Sequence, residues 1–505
     1  MSELALWHLD QKVNDRGICI DVDFVRAAIE TAEREKDRLA GVVQTLTDGE
    51  VKSALKRDKL LKHILEHYGV SLPDMRASTI ELRVNDYSLP LPLRQLLDAR
   101  LQASMGSTGK YRALLRALND DGRVRGLIQF SGAPRTRRAA GRTFQPQNLM
   151  RPPKWLTKQW ETAIEAIKRG HASEMYDNVM EVVAGTVRGA IVASPGKKLV
   201  VSDLSNIEGR GLAEIAGEEW KLQAFRDYDA GIGFDLYKLA YSKSFGVAPD
   251  NVDDEQRSCG KILELSMGYA GGVGALVTFS LAYGVDLDEM AERAAPTIPS
   301  GALAEATDFY EWMRKQRRST LGLERKTYIV LDAQKRLWRG AHPKTVELWK
   351  ALEQNVRHAI AHPGHTFTCG KLLVRRDGAW LRIKMPSSNY LCYPSPEVSD
   401  DGQISYMGQN QYTRKWSRVK SYGGKFTENI IQSFCRDIFY ANKLRIEDAG
   451  YEIVLEVHDE LVTETLDTSA YGPAQLSQLM STNPAYCPDM PLAAAGWEGY
   501  RYRKG

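Results

Sequence analysis

The sequence has little of three features that would assign a protein to a special class. Its six cysteines are scattered without a Cys-x-x-Cys pair, which argues against a zinc ribbon or a disulfide framework. No apolar run approaches the roughly 20 residues that a membrane-spanning helix needs. The first ten residues lack a basic segment followed by an apolar core, so we predict no secretory leader and expect a cytoplasmic protein without membrane contact.

The chain also lacks a strong net charge. It has 68 lysines and arginines against 64 aspartates and glutamates, a formal charge of +4. Any nucleic-acid contact would therefore depend on local basic clusters. Such clusters lie at 135–142 and 314–318. A solvated charged surface is the alternative explanation of both, and we favour it for the second. The length of 505 residues allows about three domains.

The hydrophobic pattern predicts a helical N-terminal region and a long helical insertion between two sheet portions. The first 30 residues are predicted to form a short strand, a turn, a second strand and a helix that Asp21 or Asp23 could cap. Helical periodicity dominates residues 23–118 and 208–360. Short alternating strands follow from residue 366. Mixed helix and sheet is therefore expected, with sheet portions on either side of the insertion.

Two carboxylates stand at the ends of predicted strands. Asp203 follows an apolar strand and precedes a helix that Ser205 could cap. Asp459 lies in a His-Asp-Glu turn between two apolar runs. Such oxygen ligands can hold hard divalent cations, but the two belong to one site only if both sheet portions form one sheet. A helix cap and a turn-forming aspartate are the simpler explanations of each carboxylate alone.

A predicted helix between the carboxylates carries Arg257, Lys261, Leu265 and Tyr269 at intervals of four. Cations near the start of a helix are well placed to hold phosphates, and an aromatic ring at the far end could stack on a base. An amphipathic helix with a solvated cationic edge is the alternative. Together with the carboxylates, the helix indicates a two-metal phosphoryl- or nucleotidyl-transfer site.

Taken in order, these three segments resemble motifs A, B and C of family A DNA polymerases, the DNA polymerase I type. Other stretches resemble the Thr-Gly-Arg, Gln-Asn and Tyr-Gly-Gly segments of bacteriophage members, so the likeness covers nearly the whole chain. The matching stretches are 203–210, 257–269 and 458–460 for the motifs, 135–149 and 422–432 for the bacteriophage segments, and 13–18 for the lead-in to a thumb.

The resemblance implies a mixed α/β (α+β) right-hand fold with an antiparallel-sheet palm, helical fingers and a helical thumb. Because the thumb lead-in begins so early, we expect no proofreading exonuclease in this chain, which is either a natural short polymerase or a truncated core. The implied divisions are a lead-in at 1–21, a thumb at 22–124, palm segments at 125–207 and 365–505, and fingers at 208–364.

The implied activity is template-directed addition of deoxynucleotides to a primer 3′-hydroxyl. Asp203 and Asp459, with the Leu204 carbonyl, would bind two Mg²⁺ ions, for which Mn²⁺ can substitute. Arg257 and Lys261 would hold the triphosphate. The implied partners are primer–template DNA, deoxynucleoside triphosphates, and a processivity factor or separate exonuclease. We expect a monomer, acting in the host cytoplasm if a phage encodes it.

The resemblance also implies contacts to the nucleotide and the duplex. Tyr237 would touch phosphate, and Glu208 would block a 2′-hydroxyl. Leu265 would face the sugar, and Tyr269 would border the base pair. Ser205 belongs to the same nucleotide site. The implied duplex contacts are Arg138, Gln147, Gln432 and His458 in the minor groove, with Ser107 and Lys110 on the backbone.

The chain departs from the family pattern in four places. Leu204 replaces an aromatic residue, Leu265 replaces Phe or Tyr, and Arg137 and Ala270 replace glycines. The change at Leu265 predicts altered use of dideoxynucleotides. Two rival functions stay open: copying RNA or using ribonucleotides, against which Glu208 argues in part, and a non-catalytic primer–template binding module. A zinc site at His358, His362 and His365 is disfavoured, because no Glu follows the first histidine.

Overall fold

The computed structural model describes residues 3–283, 285–410 and 413–503. Within these ranges the strands form five antiparallel sheets surrounded by helices. None of the described helices combines the length and the apolar composition that crossing a membrane would require.

The chain opens with a helical region. Its first helix buries Leu6, Leu9 and Val13, whose spacing of three and four residues suits one helix face. The short strand predicted here is therefore wrong. Asp21 caps the second helix by accepting from the backbone N–H of Phe24. The elements are α1 (Glu3–Arg16), β1 (Ile18–Ile20), α2 (Val22–Leu46), α3 (Arg57–Tyr68), α4 (Ala77–Val84), α5 (Leu91–Ala103) and α6 (Gly109–Arg116).

A mixed region follows and joins the N-terminal helices to the central sheet. Strand β1 pairs with two strands of this region, β2 and β5. The elements are β2 (Arg123–Val124), β3 (Ile128–Gln129), β4 (Ala140–Gly141), α7 (Lys154–Lys158), α8 (Trp160–Lys168), α9 (Ala172–Met175), α10 (Val179–Gly185), β5 (Ile191–Val192) and β6 (Lys197–Leu204).

The predicted helical insertion is confirmed. Most of its helices share a hydrophobic core of their own, which includes Tyr241, Leu263, Leu331 and Trp338. The elements are α11 (Ile207–Ala216), α12 (Glu219–Asp229), α13 (Leu236–Phe245), α14 (Asp254–Met267), α15 (Val273–Tyr283), α16 (Leu287–Ala294), α17 (Ser300–Lys315), α18 (Arg325–Ala341) and α19 (Pro343–Ala361).

The short alternating strands after the insertion build two separate sheets. Their orders are β10-β9-β8-β7 and β11-β12-β13, and neither includes β6. The elements are β7 (Thr366–Cys369), β8 (Leu372–Asp377), β9 (Trp380–Lys384), β10 (Tyr390–Pro394), β11 (Glu397–Val398), β12 (Ile404–Gln409) and β13 (Trp416–Ser421).

The last segment completes the central sheet, whose order is β14-β15-β6-β16. Strand β15 lies antiparallel to β6 with Glu460 opposite Asp203, so the strand of Asp203 and the strands that flank Asp459 lie in one sheet, as a single site requires. Val200, Val201 and Val462 are fully buried in it. The elements are α20 (Gly423–Asp448), β14 (Glu452–Val457), β15 (Glu460–Leu466), α21 (Pro473–Met480) and β16 (Ala494–Gly499).

Candidate active site

Strand pairing brings Asp203 and Asp459 together. Asp203 is the penultimate residue of β6, and Asp459 lies in the two-residue turn between β14 and β15. The backbone N–H of Leu204 donates to the carbonyl of Asp459 at 3.1 Å. His458, the other turn residue, has φ 58°, in the left-handed region that tight hairpin turns use. The turn therefore holds Asp459 beside the end of β6.

Arg138 connects this turn to the helix after β6. Its Nη1 lies 2.9 Å from Oε1 of Glu208, and its Nη2 lies 3.1 Å from Oδ1 of Asp459. The hydroxyl of Tyr269 donates to Oε2 of Glu208 at 2.9 Å. Tyr269, Glu208, Arg138 and Asp459 thus form one continuous chain of polar contacts.

The charges of this cluster shift its pKa values. Burial raises the pKa of Asp459 to about 6, and the carboxylates of Glu208 and Asp203 add to this rise while Arg138 opposes it. Burial acts to lower the pKa of Arg138, but Asp459 and Glu208 outweigh it and raise that pKa. Arg138 thus pairs with two carboxylates, Glu208 and Asp459, and the charge of a third, Asp203, acts on Asp459. Such a set of oxygen donors suits a hard divalent cation.

The N-terminal half of α14 carries cationic side chains. A capping box of Asp253 and Gln256 starts the helix. Arg257 donates to Oδ2 of Asp235 at 2.9 Å, and its guanidinium carbon lies 5.4 Å from the centre of the Tyr237 ring. Because Asp235 also caps α13, it fixes Arg257 and Tyr237 beside each other.

Lys261, one turn further along α14, lies among other cations. Burial lowers its pKa, and Arg151, Arg257 and Lys154 lower it further. The sequence reasoning missed Arg151 and Lys154. The basic residues directly after the Gln-Asn segment were the available signal, but their separation from Lys261 in the chain hid their electrostatic effect on it.

Helix α14 ends at Met267, so Leu265 lies on the helix, half-buried, and Tyr269 lies in the loop beyond it. Ala270 then adopts φ 60°. A Cβ atom on Gly424 would lie 2.3 Å from the Tyr269 carbonyl oxygen and 2.6 Å from Cβ of Ala270. The second glycine of the Tyr-Gly-Gly segment is therefore needed for α20 to approach this loop.

Two of the departures from the family pattern lie where the backbone adopts an unusual conformation. Arg137 and Ala270 replace glycines, and both adopt left-handed backbones, with φ 58° and 60°. This conformation costs a residue with Cβ roughly 1–2 kcal/mol. At Arg137 two ion pairs offset the cost, 2.7 Å to Glu3 and 3.2 Å to Asp437. Ala270 has no polar side-chain atom to form such a contact.

Three of the predicted duplex residues lie around one recess. Arg138, Gln147 and His458 line it together with Asp459, and Nε2 of His458 lies 3.3 Å from the Gln147 carbonyl. Gln432, half-buried on α20, is not among the lining residues given for that recess.

The remaining predicted residues lie outside the recess. Lys110 donates to the carbonyl of Phe144 at 2.8 Å, and Ser107 lies in a 3-10 turn before α6. Ser205 does not cap the helix after β6, because that helix begins one residue later, after Asn206 with φ 48°. His358, His362 and His365 are exposed, and within the described ranges they form no group with metal-ligand geometry.

No protein-family model matches the chain. It is 31% identical to the DNA polymerase of Bacillus phage SP02 over 516 aligned residues, which span 100% of this chain and 71% of the relative. It is 34% identical over 107 residues to DNA polymerase I of Chloroflexus aurantiacus, covering 21% of this chain and 9% of the relative. The thermostable DNA polymerase I of Thermus thermophilus is 36% identical over 83 residues, which cover 16% of this chain and 9% of the relative.

Among solved structures, the fold is similar to the POL domain of Pol1 from M. smegmatis in complex with DNA primer–template and dNTP. The TM-score is 0.62 at 16% identity, covering 99% of this chain and 70% of that one. The fold is thus that of a right-hand polymerase, as the sequence predicts. The chain belongs to the family A DNA polymerases, the DNA polymerase I type.

Proposed function

We propose that this chain is a template-directed DNA polymerase that adds deoxynucleotides to a primer 3′-hydroxyl by two-metal nucleotidyl transfer. The observation that carries the proposal is the pairing of β6 with β15, which joins Asp203 and Asp459 in one cluster. Similarity over the whole of this chain to a phage DNA polymerase supports it.

The carboxylates would hold the metal ions. Asp203 and Asp459, with the Leu204 carbonyl, would be the ligands for two Mg²⁺ ions, with Mn²⁺ as a substitute. Ions held there would lower the pKa of the primer hydroxyl and neutralise charge on the triphosphate. Burial of Asp459 beside two further carboxylates, which raises its pKa, makes a bound cation favourable.

The cations of α14 would bind the triphosphate. Arg257 and Lys261 would hold its oxygens and stabilise the charge that develops on the leaving pyrophosphate, with Tyr237 beside them. Because burial and neighbouring cations lower the pKa of Lys261, its ammonium could also donate a proton to that group. Arg151 and Lys154 would extend the phosphate-binding surface.

The end of α14 would bind the sugar and base. Tyr269 would border the nascent base pair, and Glu208, fixed by Tyr269 and Arg138, would exclude a 2′-hydroxyl. Leu265 would face the sugar, and Ser205 would lie beside the nucleotide. A fingers segment carrying α14 would close on the correct nucleotide, a gating step.

The DNA duplex would lie across the recess next to Asp459. Arg138, Gln147 and His458 would contact the minor groove, with Gln432 on the same duplex, where acceptors are nearly common to all base pairs. Ser107 and Lys110 would approach the backbone. In this proposal residues 22–124 act as the thumb, 125–207 and 365–505 as the palm, and 208–364 as the fingers.

Primer extension tests the proposal. The protein is given a primer–template, Mg²⁺ and four deoxynucleotides, and the wild type is compared with Asp459→Asn. Asp400→Asn, at an exposed position between β11 and β12, is the matched control. We expect extension by wild type and control, and loss of extension with retained primer–template binding in Asp459→Asn. A wild type that binds primer–template without extending it would favour the binding-module alternative, and an active Asp459→Asn would disprove the metal role.

A further inference from the structure

A second cluster of ligand-type side chains lies far from Asp203 in the chain, at the connection between α2 and α3. Nδ1 of His63 lies 2.7 Å from Oε2 of Glu50, and Nε2 of His67 lies 3.3 Å from the same oxygen. One donor atom from each of the three residues lies within 4.8 Å of the others. Two imidazoles therefore converge on a single carboxylate oxygen.

The local structure explains this convergence. His63 and His67 are one turn apart on α3, so they share a face of the helix. Their rings stack with centroids 4.2 Å apart. His63 is buried at 5% exposure, whereas the side chains of His67 and Glu50 are about half exposed. One ligand is thus fixed by packing, and the other two leave a side open to solvent.

The donor set matches a particular class of metal. Two imidazoles and one carboxylate are the protein ligands of open zinc sites, in which a fourth position is left for water. Ligand bonds of about 2.0–2.1 Å in a tetrahedron place donor atoms roughly 3.3 Å apart, which is the separation of His67 and Glu50. The distance from Nδ1 of His63 to Oε2 of Glu50, 2.7 Å, would have to lengthen toward this value. Mg²⁺, which prefers oxygen ligands, is poorly suited.

Oε2 of Glu50 lies close to two imidazole nitrogens, Nδ1 of His63 and Nε2 of His67. A simple hydrogen bond between Glu50 and His63 would explain one imidazole at this oxygen. That hydrogen bond does not explain why the His67 imidazole also lies beside the same oxygen.

We propose that Glu50, His63 and His67 bind one divalent ion of the zinc class, at a site separate from the carboxylates of β6 and the β14–β15 turn. The ion ties the turn after α2 to α3 and so stabilises the N-terminal helical region. This proposal does not depend on the polymerase function.

The test measures zinc bound to the full chain. Metal-free protein is dialysed against Zn²⁺ in slight molar excess over the chain, with a large excess of Mg²⁺ to occupy the carboxylate cluster, and zinc per chain is determined by elemental analysis. His67→Ala and Glu50→Gln remove ligands at partly exposed positions, so the buried His63 and the fold are left intact. His171→Ala is the control, since it removes a half-exposed imidazole whose Nδ1 lies 3.1 Å from Oε2 of Glu174.

We expect wild type and His171→Ala to retain about one zinc ion more per chain than His67→Ala and Glu50→Gln. Zinc should raise the thermal unfolding midpoint of wild type and His171→Ala but not that of His67→Ala or Glu50→Gln. Co²⁺ in place of zinc should give wild type a visible absorption spectrum of low-symmetry nitrogen ligation that His67→Ala lacks. Equal zinc content and equal midpoints in wild type and His67→Ala would overturn the proposal.

Discussion

Nη2 of Arg138 lies 3.1 Å from Oδ1 of Asp459, while its Nη1 holds Glu208 at 2.9 Å. Residues that are far apart in the chain are thereby fixed around one guanidinium. Because the charges of Glu208 and Asp203 also act on Asp459, the positive charge of Arg138 offsets part of the repulsion that Asp459 meets. The arrangement makes Arg138 a candidate for both site geometry and duplex contact.

Arg138→Gln should therefore lower the extension rate. Removing one partner of a poorly solvated charge pair costs roughly 2–5 kcal/mol, and here it leaves Asp459 facing Glu208 without a cation. We expect the rate of single-nucleotide extension to fall at least about tenfold. Arg325→Gln, which breaks an exposed pair with Glu311, serves as the control. Equal rates for the two variants would show that Arg138 does not organise the site.

Ala270→Gly should stabilise the protein. Glycine adopts the left-handed backbone of this position, φ 60°, without the Cβ penalty, and its larger unfolded-state entropy offsets part of the gain. We expect a net increase in the free energy of unfolding of up to ~1 kcal/mol. The same change at exposed Ala351 within α19 should cost about 1 kcal/mol. Urea denaturation measures both, and effects of the same sign would contradict the assignment of strain.

Gly424→Ala should disturb the loop that carries Tyr269. The new Cβ would meet the Tyr269 carbonyl at 2.3 Å, so α20 must move away from this loop. We expect a loss of roughly 1–3 kcal/mol of stability together with a lower extension rate. Gly41→Ala, in an exposed part of α2 with open space around it, should instead stabilise by about 1 kcal/mol. Unchanged unfolding of Gly424→Ala would mean that the contact is not tight.

Leu265→Tyr should change the use of dideoxynucleotides. Leu265 is half-buried on α14; in the proposed site it would face the sugar and has no hydroxyl to offer it. A tyrosine hydroxyl could supply the polar contact that a missing 3′-hydroxyl removes. We expect the ratio of dideoxy- to deoxynucleotide incorporation to rise on the order of tenfold. Leu281→Tyr, on an exposed part of α15, is the control, and identical ratios in wild type and Leu265→Tyr would reject the role.

Asp10→Asn should stabilise the protein at neutral pH. Burial raises the pKa of Asp10 to about 6, with Glu456 adding to the rise and Lys443 opposing it. The folded state then holds more protons than the unfolded state between about pH 4 and 6, so stability falls as pH rises through this window and stays lower above it. The neutral amide avoids this loss, which amounts to up to ~3 kcal/mol.

Urea midpoints at pH 4 and pH 7.5 test this prediction. The advantage of Asp10→Asn over wild type should be present at pH 7.5 and small at pH 4. The exposed Asp400→Asn should show little difference at either pH. An advantage of the same size at both pH values would mean that the ionisation of Asp10 is not its cause.

Local patterns were enough to predict most elements. The motif B helix is present as α14, the His-Asp-Glu turn joins β14 and β15, and the insertion is helical. Errors arose where the pattern was weak. Leu6, Leu9 and Val13 belong to a helix, but the exposed apolar residues Leu4 and Trp7 lie on its other faces and obscure its periodicity. Helix α11 begins one residue later than predicted, because Asn206 rather than Ser205 directly precedes it.

The sequence by itself determined the strand ends that carry Asp203 and Asp459, the cationic face of α14 and the family resemblance, because these depend on side-chain order within a few turns or one strand. Only the tertiary structure decided that β15 pairs with β6, that Arg138 joins Glu208 to Asp459, and that the charge of Arg151 acts on Lys261. Hydrophobic patterning states which face of an element is buried but not which distant element covers it. That choice depends on the packing of the whole chain, and the same packing places glycine-like backbones at Arg137 and Ala270.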